Sequence, residues 1–179
     1  MRKHNKYDLV NPMFKLGELK EFRDIFKHLP KTAVAERLGR EKGRFNELIE
    51  NPDGFILHEL IQLGGEWDLL LSELGRLIEA QQPVLPQSDP SKTATYRAVG
   101  LLIKEGKRTR LEDLFGYKGI SETAKELGRK PDTVKRYLKH VEKFQVKDLR
   151  TLASLYELSL VTMFKLVEAQ YDEQMHKSK

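Results

Sequence analysis

Residues 124–129 read Ala-Lys-Glu-Leu-Gly-Arg, and residues 35–40, which lie 89 positions earlier, read Ala-Glu-Arg-Leu-Gly-Arg. The same offset aligns residues 96–170 with residues 7–81 without a gap, and 19 of the 75 aligned positions are identical. Repeats that stack as solenoids have periods of about 20–50 residues, so a longer period is typical of duplicated domains. The sequence therefore predicts two copies of a small domain, each with its own core.

The repeat also predicts how the chain is divided. We expect a first domain over residues 1–81, a linker over 82–95, a second domain over 96–171 and a tail over 172–179. The linker contains three prolines among small and polar residues, and proline both interrupts helices and stiffens extended chain. Residues 7–81 are called copy 1 below, and residues 96–170 are called copy 2.

Apolar residues recur at helical spacing in both copies, and no segment has the alternation that is typical of a strand. In copy 2 we expect Gly106 to end a first helix and Ser121 to cap a helix over 122–127. Pro131 suits the first turn of the following helix, and Ser159 suits the cap of the last one. The predicted fold class is all-α, with two tandem small helical bundles.

The formal net charge of +5 is divided unevenly, because copy 1 carries −4 and copy 2 carries +6. Positive charge concentrated on one domain favours a polyanionic partner. The alternative is the solvated basic face of an ordinary helical protein.

Composition also limits the function classes. The chain has no cysteine, and its apolar runs are too short to span a bilayer, so we expect a cytoplasmic protein without membrane association. The five histidines show no metal-ligand spacing, and no phosphate-binding loop or catalytic signature is present. We therefore expect no metal, no cofactor and no enzymatic activity.

Two helices that meet at a tight turn need a small residue at their contact, a glycine in the turn and an apolar residue early in the second helix. These residues are Ala124, Gly128 and Val134 in copy 2, and Ala35, Gly39 and Phe45 in copy 1. With the later Leu149-x-x-Leu152-Ala153-x-x-Tyr156-x-Leu158-Ser159-Leu160, this pattern resembles the lambda-repressor-like, Cro-type (XRE) helix-turn-helix family. Residues 24–32 are also similar to a group of short bacterial proteins of this kind.

The resemblance implies that the second helix of the motif enters the major groove of DNA. In copy 2 this helix covers about residues 131–141, with Val134 and Leu138 turned inward. The candidate DNA-binding residues of copy 2 are Ser121, Arg129, Lys130, Asp132, Thr133, Lys135, Arg136 and Lys139. Lysine and arginine contact phosphates or guanine edges, and threonine can contact either. Pro131 lies where relatives often have a polar residue that reads a base, so no base is expected to be read there.

Copy 1 is expected to bind DNA less well. Its equivalent segment, residues 41–51, has a net charge of −1, and Gly43 destabilises a helix by about 1 kcal/mol relative to alanine. Its candidate DNA-binding residues are Thr32, Lys42, Arg44 and Asn46. The alternative role of copy 1 is packing or dimerisation.

Together these observations predict a DNA-binding protein, specifically a transcriptional regulator, with double-stranded DNA as its partner and a homodimer as a further assembly to consider. The alternative is a protein-interaction or antitoxin-like accessory module that keeps the fold without strong DNA binding. The acidic copy 1 favours that alternative, and the basic copy 2 opposes it. An RNA-binding protein or an enzyme comes third.

Overall fold

The computed structural model describes residues 6–87, 89–116 and 118–177. These ranges are helical apart from turns, connecting segments and one isolated antiparallel bridge between Ile56 and Gln145, which confirms the predicted all-α class. Their α-helices are α1 (Val10–Lys15), α2 (Lys31–Arg37), α3 (Lys42–Glu50), α4 (Leu57–Trp67), α5 (Leu71–Gln81), α6 (Pro90–Lys104), α7 (Ile120–Glu126), α8 (Pro131–Lys139), α9 (Val146–Tyr156) and α10 (Leu160–Lys177).

The two copies repeat the same elements in the same register. The offset of 89 places α2, α3 and α4 on α7, α8 and α9 with identical bounds, and α5 begins where α10 begins. Short 3-10 helices recur as well, at Phe22–Lys27 and Leu111–Phe115 and again at Pro52–Gly54 and Val141–Lys143. The gapless alignment of the sequence therefore corresponds to a gapless alignment of structural elements.

Several predicted helix ends agree with the structure. Gly106 follows the end of α6 with a positive φ of 70°, which glycine adopts without strain. Pro131 occupies the first turn of α8, where its missing N–H costs no hydrogen bond. The Ser159 hydroxyl accepts a hydrogen bond from the backbone N–H of Thr162 at 3.1 Å and so caps α10.

Two helices begin earlier than the sequence pattern predicts. Helix α6 begins at Pro90 with Asp89 as its cap, so residues 90–95 of the predicted linker are helical. Helix α7 begins at Ile120 after Gly119, whose φ is 80°. Ser121 is therefore an exposed residue of the first turn rather than the cap, because the chain already turns into the helix at the glycine.

The copies do not form separate bundles with separate cores. Buried apolar residues of both copies form one continuous cluster, and α5 packs against α10 more extensively than any other pair of described elements. Helix α4 of copy 1 packs on Val141–Lys143 of copy 2, while α9 of copy 2 packs on Pro52–Gly54 of copy 1. The contacts between the copies are therefore reciprocal.

Hydrogen bonds at the contact show the same reciprocity. The backbone N–H of Leu57 donates to the carbonyl of Phe144 at 2.9 Å, and the N–H of Val146 donates to the carbonyl of Phe55 at 3.0 Å. The two bonds are equivalent: residue 146 lies 89 positions after residue 57, and residue 55 lies 89 positions before residue 144. The bridging pair Ile56 and Gln145 is its own counterpart, so a pseudo-twofold axis passes through it.

Two glutamates close the contact between α5 and α10. The Glu168 carboxylate accepts from the backbone N–H of Ser72 at 2.7 Å, and the Glu79 carboxylate accepts from the N–H of Leu160 at 3.0 Å and of Val161 at 3.3 Å. A carboxylate at a helix N-terminus binds free N–H groups and is stabilised by the helix dipole. Each copy therefore caps the last helix of the other, and the two helices run antiparallel.

Candidate nucleic-acid interface

In copy 2, helices α7 and α8 are joined by a tight turn that glycine permits. Gly128 has a φ of 62°, and the N–H of Arg129 donates to the carbonyl of Ala124 at 2.9 Å. Ala124 and Val134 are both fully buried, which seats α8 on α7 and confirms the inward register predicted for Val134.

Helix α8 has two opposite faces. At 100° per residue, Asp132, Lys135, Arg136 and Lys139 fall on one stripe, and all four are exposed. Val134, Tyr137 and Leu138 fall on the opposite side, where the Tyr137 ring packs edge-on against Phe144 with 5.2 Å between the ring centroids. The exposed stripe carries three cations and one carboxylate, and it is called the α8 stripe below.

The cations of the α8 stripe are weakly engaged within the protein. Lys135 Nζ lies 3.5 Å from Asp132 Oδ1, and Asp132 is almost fully exposed, so solvent screens this pair. The Arg136 guanidinium lies 5.9 Å from the Tyr137 ring centroid. Lys130 and Lys139 have no ion pair in the part of the chain that the structure describes. The stripe is therefore free to bind an anion.

The end of α8 is held by a glutamine of the last helix. The Gln170 side chain donates from Nε2 to the carbonyl of Leu138 at 2.7 Å and accepts from the N–H of Glu112 at 2.8 Å. In copy 1, Gln81 makes the matching bonds to Ile49 and Arg23. These bonds fix the second helix of each motif against the core, so its exposed stripe has a defined orientation.

Arg129 lies apart from the α8 stripe. Its guanidinium forms an ion pair with Asp148 at 3.1 Å and a hydrogen bond with the Gln145 side chain at 2.8 Å, and the Asp148 side chain is 3% exposed. The equivalent Arg40 pairs with Glu59 at 2.6 Å, and this hydrogen bond raises the pKa of Arg40. The structure thus gives both arginines an internal role, in which each neutralises a buried carboxylate.

The remaining candidate DNA-binding residues of copy 2 differ in their exposure to solvent. Ser121 and Lys130 are exposed, while Thr133 is half-buried at the edge of the α8 stripe. The exposed lysines outside the predicted set include Lys125 on α7 and Lys143 in the turn after α8. Their charge is visible in the sequence, but they lie outside α8, the helix to which the family resemblance assigns the DNA contacts.

The equivalent helix of copy 1 has a different surface. At the positions of the α8 stripe, α3 carries Gly43, Asn46, Glu47 and Glu50. Lys42 is exposed, but Arg44 forms an ion pair with Glu47 at 2.6 Å. Asn46 is half-buried, and its Oδ1 is buried without a hydrogen-bond partner in the described part of the chain. Thr32 is exposed on α2. Copy 1 therefore lacks the cationic stripe.

Two further features, a membrane-spanning helix and a metal-ligand cluster, are absent from the described residues. None of the helices within residues 6–87, 89–116 and 118–177 is both long and apolar enough to cross a bilayer. The same ranges contain no group of three or more histidine, aspartate or glutamate side chains placed to hold a metal ion.

Comparison with known proteins identifies no relative. No protein-family model, no curated protein and no solved structure matches this chain.

Proposed function

We propose that this protein binds double-stranded DNA through α8, which acts as the recognition helix of a helix-turn-helix, and that it serves as a transcriptional regulator. The observation that carries the proposal is the α8 stripe, in which Lys135, Arg136 and Lys139 are exposed on a helix whose C-terminal end is held by Gln170. A basic helix of this kind fits the major groove, where a protein can contact phosphates and base edges together.

The residues of the stripe differ in what they can contribute. Lys139 lies at the middle of the stripe and Lys135 and Arg136 lie on its two sides, so the three cations cover about 100° of the helix surface. Arginine can form a bidentate contact with a guanine edge, whereas lysine binds phosphate as a point charge. Arg136 is therefore the proposed reader of base sequence, and Lys135 and Lys139 are the proposed phosphate contacts.

A salt titration tests the proposal. Binding of the full chain to a fluorescein-labelled, mixed-sequence duplex of about 30 base pairs is measured by anisotropy from about 50 to 200 mM salt. Each phosphate that the protein neutralises contributes about −0.9 to the slope of log affinity against log salt. The variant Lys135→Ala/Arg136→Ala/Lys139→Ala should therefore have a slope shallower by about 2–3.

A matched control removes the same charge elsewhere on copy 2. Lys104, Lys107 and Lys165 are exposed and lie off α8, so their replacement by alanine should leave the slope nearly unchanged. Equal losses in the two triple variants would show that only net charge matters and would refute binding through α8. Absence of binding at about 50 mM salt would refute the function and favour the protein-interaction alternative.

A further inference from the structure

The pseudo-twofold axis gives the chain two equivalent helices at the DNA-binding position. Both α3 and α8 run for nine residues, and each leads through a 3-10 turn to the bridging pair Ile56 and Gln145. Each is anchored by the same glutamine bond at its C-terminal end. By packing alone, α3 is as well placed as α8 to present its exposed stripe.

The charges on the two stripes are opposite. Glu47 stands at the position of Arg136 and Glu50 at the position of Lys139, while the uncharged Asn46 replaces Lys135. Glutamates are exposed at both positions, so they would face whatever α3 approached. Both glutamates have a cation nearby: Arg44 pairs with Glu47 at 2.6 Å, and Arg23 lies 3.7 Å from Glu50. All four side chains are exposed, so solvent screens both pairs and the carboxylates still face outward.

We propose that Glu47 and Glu50 exclude DNA from α3. Each chain then binds DNA through α8 alone, although its two copies place two equivalent helices on the surface. This inference rests on the proposed function of α8. Two carboxylates beside a phosphate backbone repel it, whereas two cations at the same positions attract it. The site recognised by one chain is therefore a single asymmetric half-site, and a composite site of two half-sites requires two chains.

A gain-of-function variant tests the proposal. Glu47→Arg/Glu50→Lys transfers the charges of the α8 stripe to α3 and also frees Arg44. Affinity for the same 30-base-pair duplex should rise, and the slope of log affinity against log salt should steepen by about 1–2, because one or two phosphate contacts are added. The new contacts should appear either as a second protected major-groove face in a hydroxyl-radical footprint or as a second duplex bound per chain.

Two further proteins complete the experiment. Asp8→Lys/Glu18→Lys makes the same change in charge at exposed positions of copy 1 outside α3, and it should leave the slope nearly unchanged. Glu47→Gln/Glu50→Gln removes the repulsion without adding cations, so it should raise affinity by less than the charge-reversed variant does. Circular dichroism confirms that all variants are folded.

The outcomes separate the inference from the function on which it rests. The inference is supported if the wild-type protein binds through α8 and protects one groove face, and if the charge-reversed α3 variant has a steeper slope of log affinity against log salt. Wild-type protection of two groove faces, or a charge-reversed variant no different from the Asp8/Glu18 control, overturns the inference and leaves the function standing. Wild-type protein that does not bind the duplex overturns both.

Discussion

The contact between Gly75 and Phe164 offers a direct test of the pseudo-twofold arrangement. The two residues occupy equivalent positions on α5 and α10, and the Phe164 ring fills the space that a side chain at position 75 would need. Phe164 is fully buried, and truncation of a buried phenylalanine to alanine costs about 3–5 kcal/mol. Glycine within a helix adds about 1 kcal/mol, so Phe164→Gly should lower the free energy of unfolding by about 4–6 kcal/mol.

The opposite single substitution should also destabilise the protein. A Cβ at position 75 would lie 2.7 Å from Cδ2 and 2.9 Å from Cγ of Phe164, which is closer than side chains approach without displacing a neighbour. Overpacking of this kind costs about 1–3 kcal/mol, and a whole phenyl ring belongs at the upper end. Gly75→Phe should therefore lower the free energy of unfolding by about 3 kcal/mol.

The double variant Gly75→Phe/Phe164→Gly should recover most of both losses. Because the axis exchanges the two positions, the ring moved to α5 points into the space that the ring on α10 has left. We expect a net loss below about 2 kcal/mol, against about 7–9 kcal/mol if the two effects were additive. Urea denaturation, followed by circular dichroism and by fluorescence of Trp67, the single tryptophan, gives each free energy.

A control with the same chemistry elsewhere shows whether the recovery is specific. Phe45 is fully buried, and its ring contacts Phe26 and Phe55. Gly75→Phe combined with Phe45→Gly should show additive losses within about 0.5 kcal/mol. Additive losses in the exchange variant as well would refute the inference that positions 75 and 164 are related by the axis.

Two other predictions follow from ion pairs. Arg129→Ala leaves the Asp148 carboxylate buried without its cation, so the free energy of unfolding should fall by about 2–4 kcal/mol. The slope of log DNA affinity against log salt should stay nearly constant. A large change in that slope with unchanged stability would contradict this prediction. The hydrogen bond from Lys27 holds the pKa of Asp24 at about 2, below its usual 3.8. This stabilisation is present above about pH 4 and is lost as the pH falls through about 2. In Asp24→Asn the melting temperature should therefore fall less between pH 4 and pH 2 than in the wild type.

Much of the fold could be predicted because its determinants are local. Helix spacing, the turn at Gly128 and the inward position of Val134 depend on residues a few positions apart. Because the same pattern occurs in both copies, each helix assigned in one copy is supported by its counterpart in the other. Pro90 shows where local reasoning fails. Proline breaks a helix interior but suits its first turn, and position in the chain alone does not distinguish the two cases.

The association of the copies and the role of Arg129 depend on residues far apart in sequence. An exposed arginine and one that neutralises a buried carboxylate look alike in a sequence, and the partner of Arg129 lies 19 residues away. A signal was nevertheless present. The repeat retains an arginine at positions 40 and 129 and an acidic residue at positions 59 and 148, which is the pattern expected of a pair kept for stability.

The repeat can also be used to separate structural residues from functional ones. Identical residues include Gln81 and Gln170, which anchor the second helix of each motif, and Glu79 and Glu168, which cap the opposite copy. The exposed stripes, by contrast, share no residue. The features common to both copies therefore maintain the paired fold, and the differences lie where α3 and α8 meet solvent.

This division gives the acidic copy 1 a structural role that is separate from the surface of α3. Without copy 1, the N–H groups at the start of α10 would lose the Glu79 carboxylate. Phe164 would lose its contact with Gly75, and the N–H of Val146 would lose the carbonyl of Phe55. We expect that two separate copies of residues 96–177 would not restore that contact, because position 164 would bring phenylalanine against phenylalanine where the chain pairs phenylalanine with glycine. Copy 1 thus supplies contacts to α10 that come from outside copy 2, and these contacts do not depend on whether α3 binds DNA.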